Sequence, residues 1–106
     1  MTEQDVIAGL LDECREDYVG LWQLVNASQL DMGAAGPDET RQRTLDLVRR
    51  LLSEPGIVVG HPAPDGRHFV PWNLKPDDAF DRIEREWSAL GRNPDIGEIA
   101  WFTKVD

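Results

Sequence analysis

Residues 38–72 read DETRQRTLDLVRRLLSEPGIVVGHPAPDGRHFVPW, and the stretch carries a helix, its stop signal and a hairpin in unbroken order. Leu45, Leu47, Val48, Leu51 and Leu52 recur at helical spacing. They predict a helix over about Asp38–Ser53, with Asp38 or Thr40 near its cap. Glu54-Pro55-Gly56 ends it, because proline cannot continue the hydrogen-bond ladder and glycine frees the backbone. The β-branched run Ile57-Val58-Val59 is then a strand, Pro62-Ala63-Pro64-Asp65-Gly66 is turn chemistry, and His68-Phe69-Val70 returns as the partner strand. The turn is longer than two residues, so it should project.

Upstream, Ile7, Leu10, Leu11, Cys14, Tyr18, Leu21, Trp22 and Val25 are spaced by threes, fours and ones. That pattern predicts one helix from Thr2, as its N-cap, to about Asn26. At 100° per residue its apolar side covers roughly 160°, wider than the ~100° stripe of a one-sided helix. Such an arc needs two neighbours, or one neighbour and a second subunit, and so suggests a homodimer through residues 5–26. Gly9 and Gly20 lie opposite the arc. Surface glycine is the simple reading, and close approach by another chain the alternative. Residues 27–39 read as a loop, in which Leu30 and Met32 can tuck a short helical turn.

Downstream, Pro71 and Pro76 bracket a connection holding Trp72 and Leu74. Pro76 opens a helix that runs to about Leu90, with Asp77 and Asp78 in its first turn and Gly91 past its end. Ile96-Gly97-Glu98-Ile99-Ala100-Trp101-Phe102 is expected to be a third strand. The order is then α-α-β-β-α-β: one small α+β domain over residues 1–106 with a three-stranded antiparallel sheet.

The chain has 106 residues and a net charge of −9, from 11 Lys and Arg against 20 Asp and Glu. The charge is uneven: −8 over residues 1–40, +3 over 41–53, zero over 54–75 and −4 over 76–106. A field this acidic repels polyanions and draws in cationic partners. With 41% hydrophobic residues a packed core is expected. No apolar run approaches the ~20 residues of a membrane span, and Met1-Thr2-Glu3-Gln4-Asp5 is no basic signal-peptide start. The single Cys suits a reducing, cytoplasmic setting.

No nucleotide loop, nucleophile elbow or catalytic triad stands out, so the chain is expected to be no enzyme and to need no cofactor. His61 and His68 flank the projecting loop and with Asp65 make an incomplete metal set, read as exposed hairpin side chains and not as a metal site. Cys14 sits at the centre of the first helix's apolar arc and reads as a small core hydrophobe. Asp12, Glu13, Glu16 and Asp17 crowd four carboxylates into six residues, with only Arg15 as internal relief. Each like-charge i, i+4 pair costs a helix about 0.2–0.5 kcal/mol. A solvated face is the plain reading. The sharper one is a docking surface for a basic protein, built from Asp12, Glu13 and Glu16 with Trp72, between its two prolines, as an exposed anchor. An immunity- or antitoxin-like partner, or a regulatory adaptor, would act this way.

Residues 38–72 also resemble the recognition helix and wing of MarR- and PadR-type bacterial winged helix-turn-helix regulators. The likeness rests on the Leu51-Leu52-x-x-x-Gly56-Ile57-Val58 junction and the Pro62-x-Pro64-Asp65-Gly66-Arg67 wing tip. It implies a winged-helix-like fold and, as the alternative function, DNA binding. Thr40, Arg41, Gln42, Arg43 and Thr44 would enter the groove, Arg49 and Arg50 would extend the basic face, and Arg67 would touch phosphate. Against this, Asp46 shares the face of Arg43 and Arg50, and the chain outside residues 41–53 carries −12.

Overall fold

The computed structural model describes residues 2–105. Its elements are α1 (Glu3–Glu16), β1 (Val19–Gly20), α2 (Leu21–Leu30), α3 (Gly36–Leu52), β2 (Ile57–Pro62), β3 (Phe69–Pro71), α4 (Pro76–Leu90) and β4 (Trp101–Lys104). The four strands form one antiparallel sheet in the order β1-β4-β2-β3. The α+β class and antiparallel pairing are as expected. The strand count and the element order are not.

The main correction falls on the first helix, which is two helices joined by a strand. α1 opens on a capping box: the Asp5 N–H donates to Thr2 Oγ1 at 3.2 Å, and the Thr2 N–H donates to the Asp5 carboxylate at 3.3 Å. It stops at Glu16, where Asp17 turns extended (φ −155°) and accepts the Tyr18 N–H on its own carboxylate. Val19 and Gly20 then pair with Phe102 and Trp101, and Gly20 caps α2 while the Gln23 side chain accepts its N–H at 2.9 Å. A straight 2–26 helix would present its wide apolar arc to two directions. The break folds both halves onto one core, where Val6, Ile7, Leu10, Cys14, Leu21, Leu24 and Val25 are all buried. Most of the arc that suggested a homodimer is therefore covered within the chain, while Leu11, Tyr18 and Trp22 are half-buried. Gly20 is buried too, and a Cβ there would overlap the Trp22 indole.

Because α2 runs to Leu30, the expected loop shrinks to residues 31–35 and α3 begins at Gly36. α2 and α3 meet through small polar side chains: Thr44 Oγ1 donates to Ser28 Oγ at 3.1 Å, and Ser28, Thr40 and Thr44 are buried. α4 starts at Pro76 and ends on left-handed Gly91 (φ +74°), as its signals predict.

The last strand begins later than expected. Past the Gly91 cap, residues 92–100 form a loop with two residues at positive φ, Gly97 (+81°) and Ile99 (+69°). The Ala100 N–H reaches back over Ile99 to the Glu98 carbonyl at 2.9 Å, a γ-turn of the strained, positive-φ kind. Arg92 forks onto the Glu98 carboxylate at 2.6 and 2.8 Å, and that pairing holds the carboxyl below its usual range.

β4 is central in the sheet although it comes last in the chain. The row Val19–Phe102–Val59 is buried against the helices, with Phe102 at 0% exposure. The next row, Gly20–Trp101–Gly60–Pro71, faces the other way. There Trp101 has a glycine on either side and meets Trp22 edge-to-face at 4.6 Å. Among the described residues no helix is long and apolar enough to cross a membrane.

Candidate functional site

The β1 corner turns the chain from α1 into α2, both helices pack on α3, and an open groove of about 440 Å³ is left between them. Asp5, Val6, Gly9, Leu10 and Glu13 of α1 form one wall, and Gln23, Asn26, Ala27, Leu30 and Asp31 form the other. The apolar residues Val6, Leu10 and Ala27 are buried at its base, whereas Leu30 stands 83% exposed at one end. Three carboxylates line the groove, and none of its lining residues is basic. Gln23 Nε2 donates to Glu13 across it at 3.4 Å.

The spacing in α1 explains this arrangement. Asp5, Gly9 and Glu13 form an i, i+4, i+8 ridge, with Asp12 and Glu16 just outside it. At 100° per residue all five fall within roughly 100° of arc. Of the expected partner-binding residues, Asp12, Glu13 and Glu16 therefore share one exposed acidic side of α1. Asp12 is paired with Arg15 at 2.9 Å.

Trp72 is not part of this side. It is half-buried, its Nε1–H donates to His61 Nδ1 at 3.0 Å, and the Arg82 guanidinium stacks 3.9 Å above its ring. Arg82 in turn binds Glu86 at 2.6 Å. The hairpin histidines have separate partners, because His61 stands opposite Val70 in the β2–β3 register and His68 Nδ1 meets Asp65 at 2.8 Å. The Asp65 carboxyl is held low by the Arg67 N–H first and by His68 second. Among the described residues no group of three or more His, Cys, Asp or Glu is placed to hold a metal ion.

Two of the four arginines of α3 lie against α4. Arg41 donates to Ser88 Oγ at 2.8 Å and lies 6.0 Å from the Trp87 ring, while Arg49 covers the Phe80 ring at 4.0 Å. Arg50 reaches Glu3 at 3.4 Å and not Asp46, which accepts from Gln42. Thr40 and Thr44, implied as groove contacts by the winged-helix resemblance, are interior. Arg43 and Arg49 on α3 and Arg67 on the hairpin loop are exposed.

Cys14 lies at 1% exposure beneath the acidic side of α1. Burial, then the Glu13 charge, push its thiol up to about 11, and Lys104 opposes them. The free thiol in an unfolded chain ionises near 9. Below pH 9 both states are protonated. Between pH 9 and 11 only the unfolded state loses its proton, so stability should fall there by about 2–3 kcal/mol. Denaturant titrations across that range test this: the fall should be present in the native chain and missing in Cys14→Ala, whatever the variant's own offset.

The sequence indicated the α1 acids but not the opposite wall, since Leu30 and Asp31 read as loop. The usable signal was the Asp5-Gly9-Glu13 ridge. No family model, curated protein or solved structure matches this chain.

Proposed function

We propose that the chain is a non-enzymatic protein-binding domain whose α1–α2 groove receives a basic surface of its partner. The observation that carries this is the lining of the groove: Asp5, Glu13 and Asp31 around an apolar base, with no base among them. Asp12 and Glu16 extend the same field outward. Apolar contact at the centre supplies affinity, while the acidic rim supplies steering and partner choice. A partner's cations also relieve the carboxylate repulsion within α1, a gain absent from the free protein. An immunity- or antitoxin-like role, or that of a regulatory adaptor, suits such a surface.

The test is capture of partners from lysate with and without nuclease, repeated with Asp12→Lys/Glu13→Lys/Glu16→Lys. A nuclease-resistant, salt-sensitive basic protein is expected on the native chain. Its affinity should drop by about 100-fold or more on the triple variant while helical circular dichroism is unchanged. Unchanged binding by the triple variant would sink the proposal, and capture lost to nuclease would turn attention to Arg43 and Arg67.

A further inference from the structure

We infer that the occupant of the groove is a cationic amphipathic helix that crosses α1 over Gly9. This rests on the groove's being the binding site, and it adds the partner's conformation and point of closest approach.

The first support is the backbone. The walls are two α-helices, whose N–H and C=O groups are already joined within each helix. They offer an incoming chain only side chains. An extended segment would bury its own N–H and C=O groups against this surface without partners, which folded proteins rarely tolerate. A helix brings its backbone already satisfied.

The second support is pattern. Val6, Leu10 and Ala27 at the base and exposed Leu30 at one end match one apolar stripe of a helix. Asp5 and Glu13 stand on one side of that stripe and Asp31 on the other. Lys and Arg on both flanks of the occupant would complement them.

The third is Gly9 itself. Glycine is a poor interior residue for a helix, yet a Cβ added at Gly9 meets nothing within 4 Å. The glycines at 20 and 60 are each required by a neighbouring group. Among the described residues nothing requires the one at 9. It lies midway along the Asp5–Glu13 ridge, where the missing side chain lets another helix backbone come close.

The experiment uses the full chain, labelled for NMR, and two peptides of about 15 Lys and Leu residues, long enough to form a helix. One places Leu at helical period. The other has the same composition with Leu and Lys alternating. The helical-period peptide is expected to bind, to gain helical circular dichroism, and to shift the amides of Gly9, Ala27 and Leu30. The alternating peptide should bind at least about tenfold more weakly. Gly9→Leu should weaken the first peptide by about tenfold or more. Gly9→Ala should raise the melting temperature by about 4 °C, showing that the glycine is not there for the fold.

Equal affinity for both peptides, or no affinity for either, overturns the helical occupant. Undiminished binding by Gly9→Leu overturns the crossing point, and in that case Glu13→Lys/Asp31→Lys still abolishes binding if the groove is the site. If that charge reversal also leaves binding unchanged, the reading of the groove itself falls.

Discussion

Phe102→Ala should lower stability by about 4 kcal/mol, which is the usual range for removing a fully buried phenylalanine. Domains of this size hold only about 5–15 kcal/mol in total. The melting temperature should drop by about 15 °C or more, and at 37 °C a substantial unfolded fraction should appear in denaturant titrations. Phe102 is the worst place in the sheet to lose volume. It lies between Val19 and Val59 in the buried row, on the strand that joins β1 to the β2–β3 hairpin. The ring is fully enclosed, so collapse into the void means moving α1 or the hairpin and not a single side chain. A loss of 1 kcal/mol or less would show that the sheet does not rely on this row.

Gly60→Val should be comparably damaging for the opposite reason, too much volume. A Cβ at Gly60 would overlap the Val70 carbonyl oxygen and the Pro71 Cα. Both are backbone atoms of the paired strand β3, and they can yield only if the hairpin opens. We expect a loss of about 3 kcal/mol or more, at or above the top of the usual overpacking range. Trp101 on β4 would lose its flat neighbour as well. The control is Gly20→Ala, where the obstacle is the Trp22 ring. A side chain can swing away, so the loss there should be about 1–2 kcal/mol. If Gly60→Val and Gly20→Ala melt alike, the close backbone approach at Gly60 is not what constrains the hairpin.

α3, the β2–β3 hairpin and α4 were legible because their signals are local. Pro55-Gly56, the Pro62–Gly66 turn, Pro76 and Gly91 each act on the residues beside them. β1 was not legible. Val19 and Gly20 lie inside an unbroken helical rhythm from Ile7 to Val25, and what pulls them into a strand is Phe102 and Trp101 from the far end of the chain. The start of β4 was missed for the same reason, since Ile99 at φ +69° is held by its surroundings against its own preference. The arginines of α3 looked like a free basic face. Nothing local showed that Phe80 and Trp87 of α4 would lie against Arg49 and Arg41. One wall of the groove could be read from acid spacing alone, and the other depended on where α2 ended.

The central place of β4 also sets the order in which the molecule can be made. Synthesis releases β1 and the β2–β3 hairpin long before residues 101–104, yet neither can complete its pairing until β4 slides between them. While still attached to the ribosome, a nascent chain that has reached only residue 100 carries two unfilled strand edges beside an apolar interior. Such edges template pairing with other chains, and contacts this far apart in sequence close slowly. The helices and the β2–β3 hairpin need no contact with β4, but β1 can join the sheet only once β4 is in place.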